Sequence, residues 1–333
     1  MTDTLSPIAV SMGDPAGVGP AITVDAWRQL SAEPELAFFI LGDPALYDGK
    51  VPTRTIDTPA EAPGVFAEAL PVMPVAALPA ITPGTPEPKA APAIIAAIET
   101  GVSLCLAGKA SALVTNPINK ALLYGAGFRH PGHTEFIADL CAGATGETLR
   151  PVMMLTGGGL RVALATIHQP LASVPGTLST QALVDLGEIV HRALVRDFGI
   201  AQPRIAFTGL NPHAGEGGAI GREEIDIINP AAGYLRGQGI DMSDARSADT
   251  VFAEALGGAF DAVIAMTHDQ GLIPVKTLDM WGGVNMTLGL PIVRTSPDHG
   301  TGYDAAAVGH PRADSLIAAI RSAAFVARMR ALA

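Results

Sequence analysis

DAVIAMTHDQG, residues 261–271, carries an unbroken apolar run directly into His268 and Asp269. Two other stretches repeat the pattern: RVALATIH (161–168) ends on His168, and RIAFTGLNPH (204–213) reaches His213 a few residues after its apolar run. Continuous rather than alternating apolar runs of this length predict strands covered on both faces, as in the parallel sheets of α/β proteins. Ligand crevices in such sheets form at the carboxyl ends of strands. Three histidines at three strand ends therefore stand where they can converge. Neutral imidazoles around an open position suit zinc or another divalent transition metal. The bland alternative, a satisfied histidine at a strand terminus, stays open for each one taken singly.

The rest of the chain alternates in the same way. SPIAVSM (6–12), LAFFILG (36–42) and SALVTN (111–116) read as strands. APAIIAAIETGVSLCLAG (91–108), TQALVDLGEIVHRALVRDFG (180–199) and ADSLIAAIRSAAFVARMRAL (313–332) read as helices, the first two closed by glycine. Residues 57–93, rich in proline and alanine, read as irregular surface connections. The fold class is α/β.

Composition narrows the function. The chain has 333 residues, 48% hydrophobic and 16% charged, which is globular rather than disordered. A net charge of -11 argues against a nucleic-acid backbone as partner but not against a phosphorylated small molecule. No membrane partner is expected: Asp3 sits where a signal peptide would carry positive charge, and prolines and Glu68 interrupt the apolar tract at 62–82. Cys105 and Cys141, the only cysteines, read as reduced core thiols and so point to the cytoplasm.

Other segments offer polar groups beside glycines. NPHAGEGGAIGREE (211–224) permits a close backbone approach at His213. Asp249 in SADT and Asp269 beside His268 are candidate proton acceptors or imidazole partners, although Asp249 also reads as a helix cap. Lys276, Asn285 and Arg294 suit a phosphate or carboxylate. SMGDPAGVGPA (11–21) has turn glycines without being GxGxxG. RHPGHTEF (129–136) presents His133 and Thr134 ahead of an apolar helix, with Thr134 also a candidate cap. TSPDHGTGYD (295–304) is a second glycine-bearing loop.

Taken together, GDPAGVGP, VTNPINK, GHTEF, ATIHQPL, LNPHAGEGG, ADT, HDQGLIPVK, GVNMTLGLP and RTSPDHGT resemble, nearly end to end, the 4-hydroxythreonine-4-phosphate dehydrogenase family of vitamin B6 biosynthesis. The resemblance implies a two-domain fold similar to isocitrate and isopropylmalate dehydrogenases, with residues 1–128 and 286–333 forming one domain and 129–285 the other. Its active site would lie in the cleft between domains of a homodimer. It implies a divalent metal on His168, His213 and His268, the last from the partner subunit, and substrate contacts at His133, Thr134, Lys276, Asn285 and Arg294. Zinc is expected, with cobalt, magnesium or manganese as alternatives. His299, Gly300, Thr301 and Asp304 resemble an adenosine-side cofactor loop. An acid at 304 disfavours a 2′-phosphate, so NAD is expected over NADP. The implied reaction is oxidation of 4-phosphooxy-L-threonine to 2-amino-3-oxo-4-phosphooxybutanoate, which decarboxylates to 3-amino-2-oxopropyl phosphate. Asp249, Asp269 and Lys276 are the candidate proton acceptors. A related dehydrogenase of a phosphorylated sugar acid or a cis-dihydrodiol carboxylate is the alternative, and a non-catalytic metal- or anion-binding subunit is a further one. The chain departs from the family pattern at Ala21, at Asn119 and in KTLDMWGG (276–283).

Overall fold

The computed structural model describes residues 5–125, 127–130 and 132–333; Asp3, and Pro131 of RHPGHTEF, lie outside them. Among the described residues twelve strands succeed one another: β1 (Ile8–Ser11), β2 (Phe38–Gly42), β3 (Thr53–Thr55), β4 (Leu70–Pro74), β5 (Leu113–Thr115), β6 (Val152–Gly157), β7 (Leu160–Leu164), β8 (Arg204–Phe207), β9 (Asp241–Met242), β10 (Ala262–Ala265), β11 (Val284–Leu288) and β12 (Arg294–Pro297). The chain divides into two compact units, Met1–Pro151 with Leu290–Ala331, and Val152–Gly289 with Leu332–Ala333. Residues 129–151, expected with the middle of the chain, belong to the first unit because the helix His133–Thr145 packs on the helix Ala91–Leu106. Residues 286–289 belong to the second, since β11 pairs with β6 as far as Leu288 opposite Val152.

In the first unit the strands run parallel in the order β3-β4-β2-β1-β5-β12. β1 and β2 are buried at every position, as their unbroken apolar sequences require. The helical stretch Pro88–Leu106 is long and apolar enough to cross a bilayer, but here its main part, the helix Ala91–Leu106, packs on β1, β2 and β5. The chain runs outward from β1 through β2 and then crosses back from β4 to β5 on the other side of β1, so the carboxyl end of β1 is a topological switch point. The GDPAGVG loop (13–19) emerges there. The reading of residues 57–93 as wholly irregular is corrected by β4, whose Leu70, Pro71 and Val72 are buried beside β2 and β3.

The second unit is mixed, ordered β11-β6-β7-β10-β8-β9, with β6 antiparallel to both β11 and β7. Gly158 and Gly159 turn the β6–β7 hairpin, both at positive φ, as the tight primed turns demand. β10 lies parallel between β7 and β8. Leu164, Val162, Ala206, Val263, Ala265, Phe252, Leu272 and Val275 form the core beneath them. Each fully buried aliphatic side chain there contributes about 1.5–3 kcal/mol. The three histidine-bearing strands are thus immediate neighbours with their carboxyl ends aligned.

Candidate active site

Side-chain hydrogen bonds join the three strand ends. Thr166 Oγ1 donates to the Met266 carbonyl at 2.7 Å, linking the chain beyond β7 to that beyond β10. Thr208 Oγ1 accepts from the Met266 N–H at 3.0 Å, and Gln270 Nε2 donates to the Gly209 carbonyl at 3.0 Å, linking β10 to the chain beyond β8. Gln270 also completes a capping box with Thr267, which starts the helix His268–Leu278. His268 is therefore the first helical residue after its strand. Its ring lies 5.4 Å, centroid to centroid, from that of His168, and its Nδ1 is 2.9 Å from Asp269 Oδ1.

His213 is presented differently. Residues 213–217 form a left-handed turn: φ is +50° at His213, +51° at Ala214 and +46° at Glu216, with Gly215 and Gly217 between and after them. Those three are the only non-glycine residues at positive φ among the described residues. Side chains in this region cost on the order of 1–3 kcal/mol each and persist only where the surroundings enforce them. The turn brings Glu216 Oε1 to 2.7 Å from His213 Nδ1. The Glu216 hydrogen bond, then its charge, and then the charge of Asp249 raise the imidazole pKa above its ordinary value. Asp249 accepts from Ser247 Oγ at 2.5 Å, which holds its carboxyl below the usual range. It does not cap the following helix, whose cap position is Thr250.

These donors fit a divalent transition metal. In His213 and His268 a carboxylate faces Nδ1, leaving Nε2 as the outward lone pair, the arrangement that orients metal-binding imidazoles. Within one chain, His168 and His268 come together, but among the described residues no three His, Cys, Asp or Glu side chains gather into one metal-sized cluster. Asp249 and Asp269, separate in sequence, line one depression of about 540 Å³ with Phe252, Leu256, Ile273 and Leu278. Lys276 is on the same helix as His268, and Asn285 on β11 buries an Oδ1 that has no hydrogen-bond partner among the described residues.

A second constellation lies in the first unit, where His133 opens the helix His133–Thr145. Gly132 is the cap and Thr134 the second helical residue, so Thr134 does not cap it. The His133 Nε2 is buried without a hydrogen-bond partner among the described residues. Burial, then Arg294, then Lys120 drive its pKa well below the ordinary value, so the imidazole is neutral. Arg294 is 3% exposed and donates from Nη2 to Thr115 Oγ1 at 2.8 Å. Burial pulls its pKa down to about 10, opposed by Glu135, and it stays cationic at neutral pH. Gly132 lies close to both Lys120 and Glu135: a Cβ there would stand 3.1 Å from Glu135 Oε2 and 3.2 Å from Lys120 Nζ. A helix N-terminus with an arginine, a lysine and a neutral imidazole has the chemistry to attract an anion, with Glu135 the opposing charge beside Arg294. Sequence reading missed Lys120, although VTNPINK ends on it.

The two glycine loops of this unit also meet. The Val18 N–H donates to the Thr301 carbonyl at 2.9 Å, and Tyr303 Oη donates to buried Asp14 at 2.5 Å. His299 Nδ1 is 3.0 Å from the Gly300 carbonyl, and Asp304 lies in the first turn of the helix Tyr303–Val308. Beside them a cleft of about 900 Å³ is lined by Pro15, Gly17, Ala21, Leu46, Ile81 and Ala306, among others. Alanine at 21 puts a small, uncharged side chain in that lining.

Residues 35–323 match the family described as pyridoxal phosphate biosynthetic protein PdxA. The chain is 54% identical over 331 residues to a 4-hydroxythreonine-4-phosphate dehydrogenase of Caulobacter vibrioides, a match covering 98% of this chain and 99% of that one. Among solved structures, a 4-hydroxythreonine-4-phosphate dehydrogenase from Klebsiella pneumoniae is 35% identical with a TM-score of 0.85, covering 97% and 99%. A terephthalate 1,2-cis-dihydrodioldehydrogenase from Burkholderia xenovorans is 29% identical with a TM-score of 0.67, covering 96% and 98%.

Proposed function

The chain belongs to the pyridoxal phosphate biosynthetic protein PdxA family, and from that premise we propose that it is an oxidoreductase converting 4-phosphooxy-L-threonine and NAD to 2-amino-3-oxo-4-phosphooxybutanoate. That β-keto acid then loses carbon dioxide to give 3-amino-2-oxopropyl phosphate, a precursor for vitamin B6. The observation that carries this reading is the anion pocket: buried Arg294, neutral His133 and Lys120 at a helix N-terminus suit a phosphate.

We assign a divalent ion, zinc first and cobalt, magnesium or manganese otherwise, to His168 and His213 of one protomer with His268 of a second copy. When bound, the ion supplies Lewis acidity that lowers the pKa of the substrate hydroxyl, and NAD supplies the hydride acceptor. The protein's own groups do the rest. Glu216 and Asp269 orient the imidazoles through Nδ1. Arg294, His133 and Thr134 hold the phosphate, while Lys276 and Asn285 address the remaining polar groups. Asp249 and Asp269, lining one depression, are the leading candidates to accept the hydroxyl proton, with Lys276 a third. His299, Gly300, Thr301 and Asp304 receive the adenosine side of the cofactor, and the Asp304 charge disfavours the 2′-phosphate of NADP.

Exposed Leu256, Ile273, Leu278, Met280 and Trp281 surround the helix that begins with His268. Cover by a second copy would remove this apolar surface from water and deliver His268, which supports the homodimer. Cys105 and Cys141 are unpaired, with burial raising their pKa values to about 12 and about 11, inert thiols that suit the cytoplasm.

The second reading, oxidation of a cis-dihydrodiol carboxylate, is supported by the likeness to the terephthalate dihydrodiol enzyme. Following NADH formation with 4-phosphooxythreonine, a phosphorylated sugar acid and a dihydrodiol carboxylate, with and without zinc, separates them. Turnover confined to the first substrate is expected. Turnover of the unphosphorylated diol alone would overturn the phosphate assignment.

A further inference from the structure

The strained turn carrying His213 needs an enforcer, and Glu224 stands behind it. Glu224 is 2% exposed, and its carboxylate is engaged by Asn211. Oε1 accepts the Asn211 backbone N–H at 2.8 Å and Oε2 accepts Asn211 Nδ2 at 3.0 Å. Asn211 Nδ2 also donates to Glu223 Oε2 at 2.7 Å. The clamp therefore grips the residue two positions before His213, where the left-handed run begins.

Two glycines are cut to fit it. A Cβ on Gly215, inside the turn, would stand 2.6 Å from Glu224 Oε2, and a Cβ on Gly221 would collide with the Asn211 amide. The turn thus wraps the buried carboxylate from one side while Asn211 closes it from the other. Burying a carboxylate is costly unless its oxygens are satisfied, and here they are satisfied by the donors that fix the turn.

We propose that Glu224, acting through Asn211, is the positioning residue that fixes where His213 presents its imidazole to a divalent ion. The inference rests on the assignment of His213 as a metal ligand and adds the reason that ligand sits in a left-handed turn. Glutamine at 224 keeps the shape but sets an NH₂ group against the donors of Asn211. The ring then loses its fixed position while Glu216 remains available to Nδ1.

The test is cobalt(II) titration of the full-length protein, read by the visible d–d absorption and its extinction, for the wild type, Glu224→Gln, Asn211→Ala and His213→Ala, with thermal unfolding in parallel. Outer-shell changes of this kind cost about 10–100-fold in metal affinity. Glu224→Gln and Asn211→Ala are expected to weaken cobalt binding by that factor and to alter the band, with each variant still folded. Should Glu224→Gln fail to fold, Asn211→Ala, which removes one donor and leaves the buried carboxylate with the backbone N–H, decides the matter. Wild-type affinity and spectrum in the folded clamp variants, alongside a silent His213→Ala, would overturn the positioning role. Unchanged cobalt binding in His213→Ala would instead overturn the metal assignment beneath it.

Discussion

His133 and His213 are the same residue under opposite electrostatics. The first has a sealed Nε2 beside Arg294 and Lys120, and its pKa falls. The second is exposed, faces Glu216 with Asp249 nearby, and its pKa rises. A cationic, desolvated pocket excludes the imidazolium and welcomes an anion; a carboxylate-backed imidazole welcomes a cation, be it a proton or a metal ion. The sign of each neighbourhood thus predicts the ligand of each unit.

The comparison breaks most visibly at His213. His213→Ala should abolish divalent-ion binding and lower kcat at least about a hundredfold, since a Lewis acid contributes several kcal/mol to the transition state. Retention of full activity after chelation and dialysis would end the metal half of the contrast. Arg294→Met should act on the other half. Losing a charge-assisted contact worth about 1.5–3 kcal/mol predicts a KM for the phosphorylated substrate raised about 10–100-fold, with cobalt affinity unchanged. A normal KM would show that the anion binds elsewhere.

Protons offer a subtler test on the metal-free protein. The raised His213 pKa means its pairing with Glu216 stabilises the fold below the unfolded value near 6.5 and is lost as pH rises through the folded value. The lowered His133 pKa means the reverse: the fold loses stability as pH falls through that same unfolded value. Between pH 8 and pH 5.5, His133→Gln should therefore lose less Tm than the wild type, and His213→Ala should lose more. Parallel slopes in all three would deny the opposed environments. The smallest effect is expected at the cofactor loop, where Asp304→Asn should shift the NADP-to-NAD preference in kcat/KM by about tenfold, one carboxylate–phosphate repulsion in a solvated setting.

The fold class and the candidate ligands were legible in the sequence because buried parallel strands leave unbroken apolar runs and histidines after them are conspicuous. Strand order was not legible. That β10 lies between β7 and β8 depends on pairing between residues 57 and 101 positions apart, which no local pattern encodes. β4 hid behind Pro71 and Pro74, tolerated because the strand is short and near the sheet edge. Lys120, Glu216 and Glu224 carry no local signal in the sequence, since their contacts arise only when a turn or helix start brings them to a partner. Thr134 and Asp249 looked like caps, yet Gly132 and Thr250 hold those positions.

The pairing of β12 with β5 has a consequence for biosynthesis. Arg294 meets Thr115 across 179 residues, and Tyr303 meets Asp14 across 289. A ribosome adding about 5–20 residues per second finishes Val152–Gly289, nearly all of the second unit, before β12 exists. The nascent chain then holds His168, His213 and His268 while Arg294 has yet to be added. The contact of Arg294 with Thr115 is among the last the chain can make.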